Sequence, residues 1–480
     1  MMHGVFEGRR VNRYPAVPAA TRSSKEQGYT PVDLYIEPAR SVHQSQPKFA
    51  RNISLLAFSR QLARQIEAAQ KLEPAIQGLH ETAAFLAPPW HASHFNALRT
   101  ILARLPAHRY DYVVCVPWMQ MGGADRIASH LARSLKGGPS EPSVLVIQTD
   151  SPKADRSDWF VGLDKLDFTD VLAPGIDRNG TEYILYSVIR YLAPKAVFNV
   201  NSRLLFDVFV RFGSQMKDFC DIYSYYFCWD QTPEGRRVGY PSDYFPLISG
   251  FSTGSITDSE FLRSELITSY SLPPQHQANL HVLRTPIHDG VPLKQPKSSA
   301  VPPEVGGRDR PLILWAGRFD RQKRFDLLCE IAKGMPDVDF CVWGAQVLDA
   351  GTELPRAPAN MVVRKPYLSV DELPLDVASG WLYTSGWDGI PTILIELGAR
   401  SIPIVASHVG GVGELIDDTT GWRVGPAGKA DDYIEALLEL INNPTLAARK
   451  GAALRERVNA LHSVEQYSTC VQEILKSGRA

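Results

Sequence analysis

The chain has 480 residues, 44% hydrophobic and 21% charged, an ordinary globular composition, and it exceeds the about 250–300 residues at which one core stops growing, so at least two domains are expected. A formal net charge of -1 gives no electrostatic footprint for nucleic acid. The 6 cysteines (Cys115, Cys220, Cys228, Cys329, Cys341 and Cys470) include no C-x-x-C pair, so they read as small buried hydrophobes in a reducing compartment, with no disulfide framework or zinc site.

The opening MMHGVFEGRRVNRYP lacks the apolar stretch of a secretory signal. Apolar runs of about 18 residues, the length of a membrane-crossing helix, are missing too. A cytoplasmic protein is expected, with peripheral contact at the inner face of a membrane left open. Residues 1–50 mix Pro, Ser, Gln and Arg without period and read as a tail. Leu55, Leu56, Phe58, Leu62, Ile66 and Leu72 recur near helical spacing, so 51–86 is expected to be helical until Pro88 and Pro89 stop it. A further short helix fits 92–104. Residues 1–105 thus form an N-terminal tail and helical extension.

From Tyr110 the pattern changes to short apolar runs alternating with helix-period segments. YDYVVCVPW, SVLVIQTD, AVFNVN, IYSYYFCW, GSITDS and HVLR read as strands; ADRIASHLARSL, EYILYSVIRYL, SRLLFDVFVRF and FLRSELITSY read as helices. Continuously apolar short strands predict a parallel sheet covered on both faces, a doubly wound α/β pattern. Residues 291–310 have the Pro-, Gly- and Ser-rich composition of a linker. The pattern restarts with PLILWAG, RFDLLCEIAKG, VDFCVWG, GWLYTS, PTILIELGAR and PIVAS, and two helices near 428–442 and 463–477 end the chain. The expected domains are a lobe over 106–295, a second over 296–460, and a final helix in 461–480 packing back toward the first. Ligands of such sheets sit outside the carboxyl ends of the strands.

Four segments carry chemistry. In WAGRFDRQKRFDLL, residues 315–328, a strand ends at Ala316–Gly317, and Arg318 and Lys323 follow before a helix. Two cations beside a helix N-terminus suit a diphosphate, Arg as a fork and Lys as a point charge; they equally suit a solvated charge cluster. In SGWDGIPTILIELGAR, Asp388 sits in a turn, Pro391 fits the first helical position, and Glu396 lies within the helix. Free N–H groups near Ile390–Thr392 can meet phosphate or sugar hydroxyls, and Glu396 can accept from a ribose diol; the plainer reading is a helix cap and a surface acid. Gly122 and Gly123 open a helix after the first strand, without the G-x-G-x-x-G of a dinucleotide site. Gly410 and Gly411 open another short helix, as a packing turn or a ligand contact.

WAGRFDRQKRFDLL, D-G-I-P-T-I-L-I-E, PIVAS-HVGGVGELI and TGWRV, in this order and spacing, resemble glycosyltransferase family 4. MGGADRIASHLA resembles that family's glycine loop, and SITDSEFLRSEL with HVLRTPI the end of its first lobe. The likeness covers about residues 110–460 and is densest over 311–425.

It implies the GT-B fold, two Rossmann-like lobes facing across a cleft, and a retaining transfer from a UDP- or GDP-sugar to a glycan, lipid-linked or other acceptor in polysaccharide or glycoconjugate synthesis, with no required metal or cofactor and no nucleic-acid partner. By the same resemblance Arg318 and Lys323 neutralise the leaving diphosphate, and Asp388, the first acid of an E-x7-E pair, lies near the donor sugar. Glu396, the second acid, holds the ribose. Gly317, Gly389, Ile390 and Thr392 add donor contacts, and Gly122 and Gly123 cover the diphosphate from the other lobe. Three departures stand out: Asp388 replaces Glu, Ile390–Pro391 replaces an aromatic–glycine pair, and Asn199 and Asn201 occupy a stretch where the family often has His. Asn orients a hydroxyl but transfers no proton near neutral pH. Asp230 is a further acceptor candidate. The competing expectation is a non-catalytic scaffold or nucleotide-sugar-binding protein of the same fold.

Overall fold

A computed structural model of the chain describes residues 64–65, 67–73, 92–171, 176–287, 310–346 and 353–478. The tail of residues 1–50 lies outside them, as does the linker expected over 291–310 apart from Arg310. Of the helix expected over 51–86, residues 64–65 and 67–72 are described and helical.

The chain divides into two compact units, residues 1–108 with 170–191, and residues 109–169 with 192–480. The first contains helix α1 (Ala92–Arg104) and most of α3 (Arg178–Leu192). An ion pair joins Arg104 to Asp170 at 2.7 Å, and the Tyr191 hydroxyl lies 3.3 Å from His108 Nδ1.

The second unit holds two wholly parallel sheets. The first runs β3-β2-β1-β4-β5-β8-β9, from β1 (Tyr112–Val116), β2 (Val144–Gln148), β3 (Asp164–Asp167), β4 (Ala196–Val200), β5 (Asp221–Tyr226), β8 (Gly254–Thr257) and β9 (Leu280–Val282). Strands β1, β2 and β4 are buried at every residue, which is why they read as unbroken apolar runs. One face packs on α2 (Gly123–Lys136), whose Ile127, Leu131 and Leu135 recur at helical spacing. α4 (Arg203–Met216) and α5 (Glu260–Ser269) follow β4 and β8, each opened by a serine, Ser202 or Ser259, whose hydroxyl accepts from the backbone N–H three residues on. A small antiparallel hairpin, β6 (Asp230–Gln231) with β7 (Arg237–Val238), stands apart from the sheet.

The second sheet runs β12-β11-β10-β13-β14-β15, from β10 (Leu312–Ala316), β11 (Asp339–Trp343), β12 (Met361–Arg364), β13 (Gly380–Tyr383), β14 (Ile404–Ser407) and β15 (Trp422–Val424). Successive residues of β10 alternate between faces. Leu312 and Leu314 join a core with α7 (Thr392–Ala399) and α9 (Pro444–Leu461), while Ile313 and Trp315 join one with α6 (Phe325–Gly334) and α8 (Ala430–Asn442). The strand order reverses between β1 and β4 in one sheet and between β10 and β13 in the other, and such switch points are where doubly wound sheets open a crevice.

Three helices end the chain, where two were expected. Pro444 begins α9 at a position that tolerates proline, and its buried stripe is Ala447, Gly451, Leu454 and Val458, too small in side chain to give a strong apolar period. The last helix, α10 (Val464–Ser477), lies on the first lobe. Its Tyr467, Val471, Ile474 and Leu475 join the core beneath α2, Ser468 meets Ser134 at 3.1 Å, and the Tyr223 hydroxyl donates to the Ile474 carbonyl at 3.2 Å.

Five of the cysteines expected as buried hydrophobes lie in or against the two sheets and α6, and Cys228 is half-buried beyond β5; all six are free thiols. Among the described residues no helix is long and apolar enough to cross a membrane.

Candidate active site

The loops after β10 and β13, on either side of the second sheet's switch point, are tied together by side chain and backbone. Trp315 Nε1 donates to Thr384 Oγ1 at 3.0 Å, and that hydroxyl donates to the Lys323 carbonyl at 2.7 Å. Gly386 N–H donates to the Gln322 carbonyl at 2.7 Å, and Gln322 Nε2 to the Trp387 carbonyl at 2.9 Å. This lacing brings the Lys323 ammonium into an ion pair with Asp388, and the Tyr383 hydroxyl donates to the same carboxylate. Lys323 also lies 3.3 Å from that hydroxyl. Burial works to raise the Asp388 carboxyl, but the Lys323 charge, the Tyr383 hydroxyl and the Gly389 N–H outweigh it and hold the group below its usual range. Tyr383, buried beside that anion, is held well above the ordinary phenol range.

Arg318 turns differently. Its Nε pairs with Asp320 at 3.0 Å and its Nη2 donates to Gln322 at 2.6 Å. Gly317 precedes it, where a Cβ would come 2.8 Å from the Trp315 ring. Pro391 occupies the N-cap of α7, with ψ 125, rather than its first turn, and Asp388 is no cap: its carboxylate faces Lys323.

Residues of the first lobe reach this loop. Asp258, at the end of β8, accepts the Ile390 N–H at 2.8 Å and the Ser259 hydroxyl at 3.0 Å. Burial, with the Asp388 and Glu414 carboxylates adding repulsion, pushes its carboxyl up to about 8 against those two hydrogen bonds. Gly389 lies so close to Asp258 that a Cβ there would overlap its carboxylate. Gly123, on the glycine turn after β1, faces Thr392, at 3.6 Å from its methyl carbon were a Cβ present. One turn further along α2, Arg126 forms an ion pair with Glu396 across the lobes. Burial raises Glu396 while Arg126 and Arg400 pull it down, and the balance leaves it above its usual value. Arg156, whose guanidinium lies 4.4 Å from the Trp159 ring, donates to the Leu368 carbonyl at 3.0 Å.

Arg318, Lys323, Gly317, Asp388, Gly389, Ile390, Thr392, Glu396, Gly122 and Gly123 therefore gather at the facing strand ends of the two sheets. The acceptor candidates stand elsewhere in the bonding. Asn199 is buried, its amide clasping the Ser202 N–H and carbonyl at 2.9 and 3.0 Å, so that it closes the turn between β4 and α4. Asn201 takes a left-handed φ of 64° in that turn. Asp230 is exposed in the β6–β7 hairpin. Gln231, Thr232, Pro233 and Gly235, which follow it, line a cleft of about 640 Å³ together with Phe319, Arg321, Arg324 and Trp387.

Sequence reasoning missed Asp258, Asp125, Tyr383 and Arg126. SITDSEF was legible as a strand and a helix start, but nothing in its spacing told that Asp258 meets a backbone amide more than a hundred residues away. Asp125, in the first turn of α2, is buried and pushed up to about 7 by desolvation. Tyr383 looked like strand core. Arg126 was part of an amphipathic helix, and a charge on its cleft-facing side reads like any solvated one. Among the described residues no group of three or more His, Cys, Asp or Glu side chains is placed to hold a metal ion.

The family described as "Glycosyl transferases group 1" matches residues 310–443. Alpha-maltose-1-phosphate synthase of Mycolicibacterium smegmatis is 27% identical over 225 residues, 42% of this chain and 57% of that protein. Alpha-D-kanosaminyltransferase of Streptomyces kanamyceticus is 25% identical over 150 residues, 29% of this chain and 39% of that protein. The matches thus span 39% and 57% of these curated relatives, less than two thirds of either. Among solved structures, a glycosyltransferase from Rickettsia africae superimposes with a TM-score of 0.57 at 13% identity, over 78% of this chain and 99% of that one. Anabaena Alr3699/HepE in complex with UDP and glucose gives 0.59 at 12% identity, over 77% and 100%. At such identities the likeness is one of fold, and the fold is the two-lobed GT-B arrangement of parallel α/β sheets.

Proposed function

We propose, from the premise that residues 310–443 are a group 1 glycosyltransferase domain, that this protein transfers a sugar from a nucleotide-diphosphate donor to an acceptor hydroxyl. The observation that carries the reading is the Lys323–Asp388 pair, set at the ends of β10 and β13 beside the N-terminus of α7. Glycosyl transfer passes through an oxocarbenium-like state. Negative charge grows on the leaving diphosphate as the bond breaks, and fixed cations there favour the transition state over the ground state.

In this reading Lys323 and Arg318 meet the diphosphate, and Asp388 faces hydroxyls of the donor sugar. The ribose falls to Glu396. Gly122 and Gly123 close over the phosphates from the first lobe, and the Thr392 N–H adds a contact, those of Gly389 and Ile390 being taken by Asp388 and Asp258 and Pro391 having none. The relatives' names support a sugar-transfer chemistry, and the HepE complex with UDP and glucose supports a UDP-sugar, with a GDP-sugar the alternative. Transfer with retention fits a site in which Asp388 is bound to a cation rather than poised as a free base, and an acceptor proton then leaves through the donor phosphate. The cleft that Gln231, Thr232, Pro233 and Gly235 of the first lobe share with Phe319, Arg324 and Trp387 of the second has room for the acceptor, a glycan or a lipid-linked sugar. The domains follow: residues 106–295 on the acceptor side, 296–460 on the donor side, and 1–105 an extension.

Thermal shift across a panel of UDP-, GDP- and ADP-sugars, followed by turnover assays with whichever stabilises the protein, tests this. One nucleotide class is expected to raise the melting temperature, and Lys323→Ala to lower donor turnover by about ten- to a few hundredfold, as loss of a charge-assisted hydrogen bond implies. Donor binding without hydrolysis or transfer supports a non-catalytic nucleotide-sugar-binding protein; a panel in which nothing binds overturns the reading.

A further inference from the structure

We propose that Arg126 is a donor-binding residue that changes partners, holding Glu396 while the cleft is empty and the donor's diphosphate when it is filled. The inference rests on the nucleotide-sugar reading of the same cleft.

Arg126 and Glu396 belong to different lobes, and the structure joins them directly, with side chains only 22% and 13% exposed. A carboxylate so far withdrawn from water needs a partner. Ribose hydroxyls can supply one, but Arg126 already occupies Glu396 Oε1. A ribose diol that takes both carboxylate oxygens displaces the guanidinium, and a guanidinium left unpaired in the same half-buried space is itself costly. It therefore needs a second anion within reach.

The geometry supplies the place. The Arg126 N–H bonds to the Gly122 carbonyl at 3.1 Å, so the residue sits one helical turn beyond the glycine turn. Helical side chains lean toward the N-terminus of their helix, which puts the space over Gly122 and Gly123 within reach of the guanidinium when it leaves Glu396. Gly123 faces Thr392, the first residue of α7. A diphosphate between them meets two helix starts and a guanidinium fork that matches its oxygens. The Trp159 ring, 5.6 Å from the Arg126 guanidinium, gives a flat wall along which the group can swing and keep its contact. Arg156, the other arginine on that ring, is committed to the Leu368 carbonyl and to Asp158 and does not stand in.

The test is isothermal titration of the full-length protein with UDP and GDP and with uridine and guanosine, the nucleosides in displacement mode. In Arg126→Ala the matching nucleoside is expected to bind several-fold tighter, because Glu396 is vacant. The advantage of the diphosphate over the nucleoside is expected to fall by about ten- to a hundredfold. Arg126→Lys restores part of that advantage. Glu396→Gln, which loosens the pair but keeps the arginine, retains it. A purely structural pair shifts nucleoside and diphosphate together, so an unchanged ratio in Arg126→Ala, with wild-type diphosphate binding that Lys323→Ala weakens, overturns this inference alone. Wild-type protein that binds neither UDP nor GDP overturns the nucleotide-sugar reading beneath it, and this inference with it.

Discussion

At the scale of single residues, the candidate site places a half-buried carboxyl, Asp388, and a buried one, Asp258, in opposite electrostatic states. Asp388 is held ionised by Lys323, whereas Asp258 accepts two hydrogen bonds, has no cation paired with it among the described residues, and is raised to about 8. The linkage signs differ accordingly. Asp388, lowered in the fold, contributes stability above its unfolded value near pH 4 and loses it only as pH falls further. Asp258 takes up a proton on folding between its unfolded value and about 8, so its contribution is full below about pH 4 and is lost as pH rises through 8. Asp125, raised to about 7, acts in the same sense. His462, buried and lowered to about 4, acts in the opposite one. Subtracting a variant from the wild type isolates Asp258. Asp258→Asn keeps the acceptor for the Ile390 N–H without the titration. Chemical denaturation between pH 5 and 9 is expected to show wild-type stability declining more steeply with pH than that of Asp258→Asn. Parallel profiles would mean that the carboxyl is already ionised in the fold at neutral pH.

At the scale of elements, the loop between β13 and α7 is held from behind by the short helical turn at Gly410–Glu414. Gly410 has a φ of 52° and packs directly on the Asp388 carbonyl, with no room for a Cβ. Gly410→Ala combines left-handed strain of about 1–2 kcal/mol with a backbone overlap that only movement of Asp388 relieves. The expected result is a lowered melting temperature and a loss of donor affinity together; a stability loss with donor affinity intact would show that the loop is shaped from its own side.

The same region shows where sequence reading reached and where it stopped. Arg318, Lys323 and Asp388 were legible because β10 and β13 are strongly apolar and a glycine follows each within three residues, so a cation or acid just beyond falls at a strand's carboxyl end, and Glu396 because it lies in the apolar helix that follows. The glycine pair at 410–411 was legible as a turn, but its seat against Asp388 was not. Short or half-exposed elements escaped: β3, with the pattern DKLD, has one fully buried residue, β12 sits at the sheet edge, and the β6–β7 hairpin spans two residues a side. Pairings across the lobes, Asp258 with Ile390 and Arg126 with Glu396, left no local signal because each partner satisfies its own helix or strand pattern.

At the scale of the whole second unit, the chain passes between its two sheets twice, and the passages are bonded to each other. Outbound, it leaves β9 through Thr285–Ile287; on return it passes His462 between α9 and α10. The Ile287 N–H donates to the His462 carbonyl at 2.7 Å, and His462 Nδ1 lies 2.6 Å from the Thr285 carbonyl. Burial holds that imidazole neutral at ordinary pH, so Nδ1 carries the proton that this carbonyl accepts. The second-lobe chain therefore ends by completing the first lobe: Ile474 and its neighbours on α10 close the core under α2, the helix that bears the glycine turn and Arg126. Ile474→Ala removes buried methyl groups and leaves a cavity, a change worth about 2–5 kcal/mol. The loss is expected to be local. Hydrogen exchange should show protection falling in α2, β1 and α10 while α6 and α8 keep theirs, because those helices pack on a separate core. A uniform fall across both sheets would instead mean that the two crossings couple the lobes into a single cooperative unit.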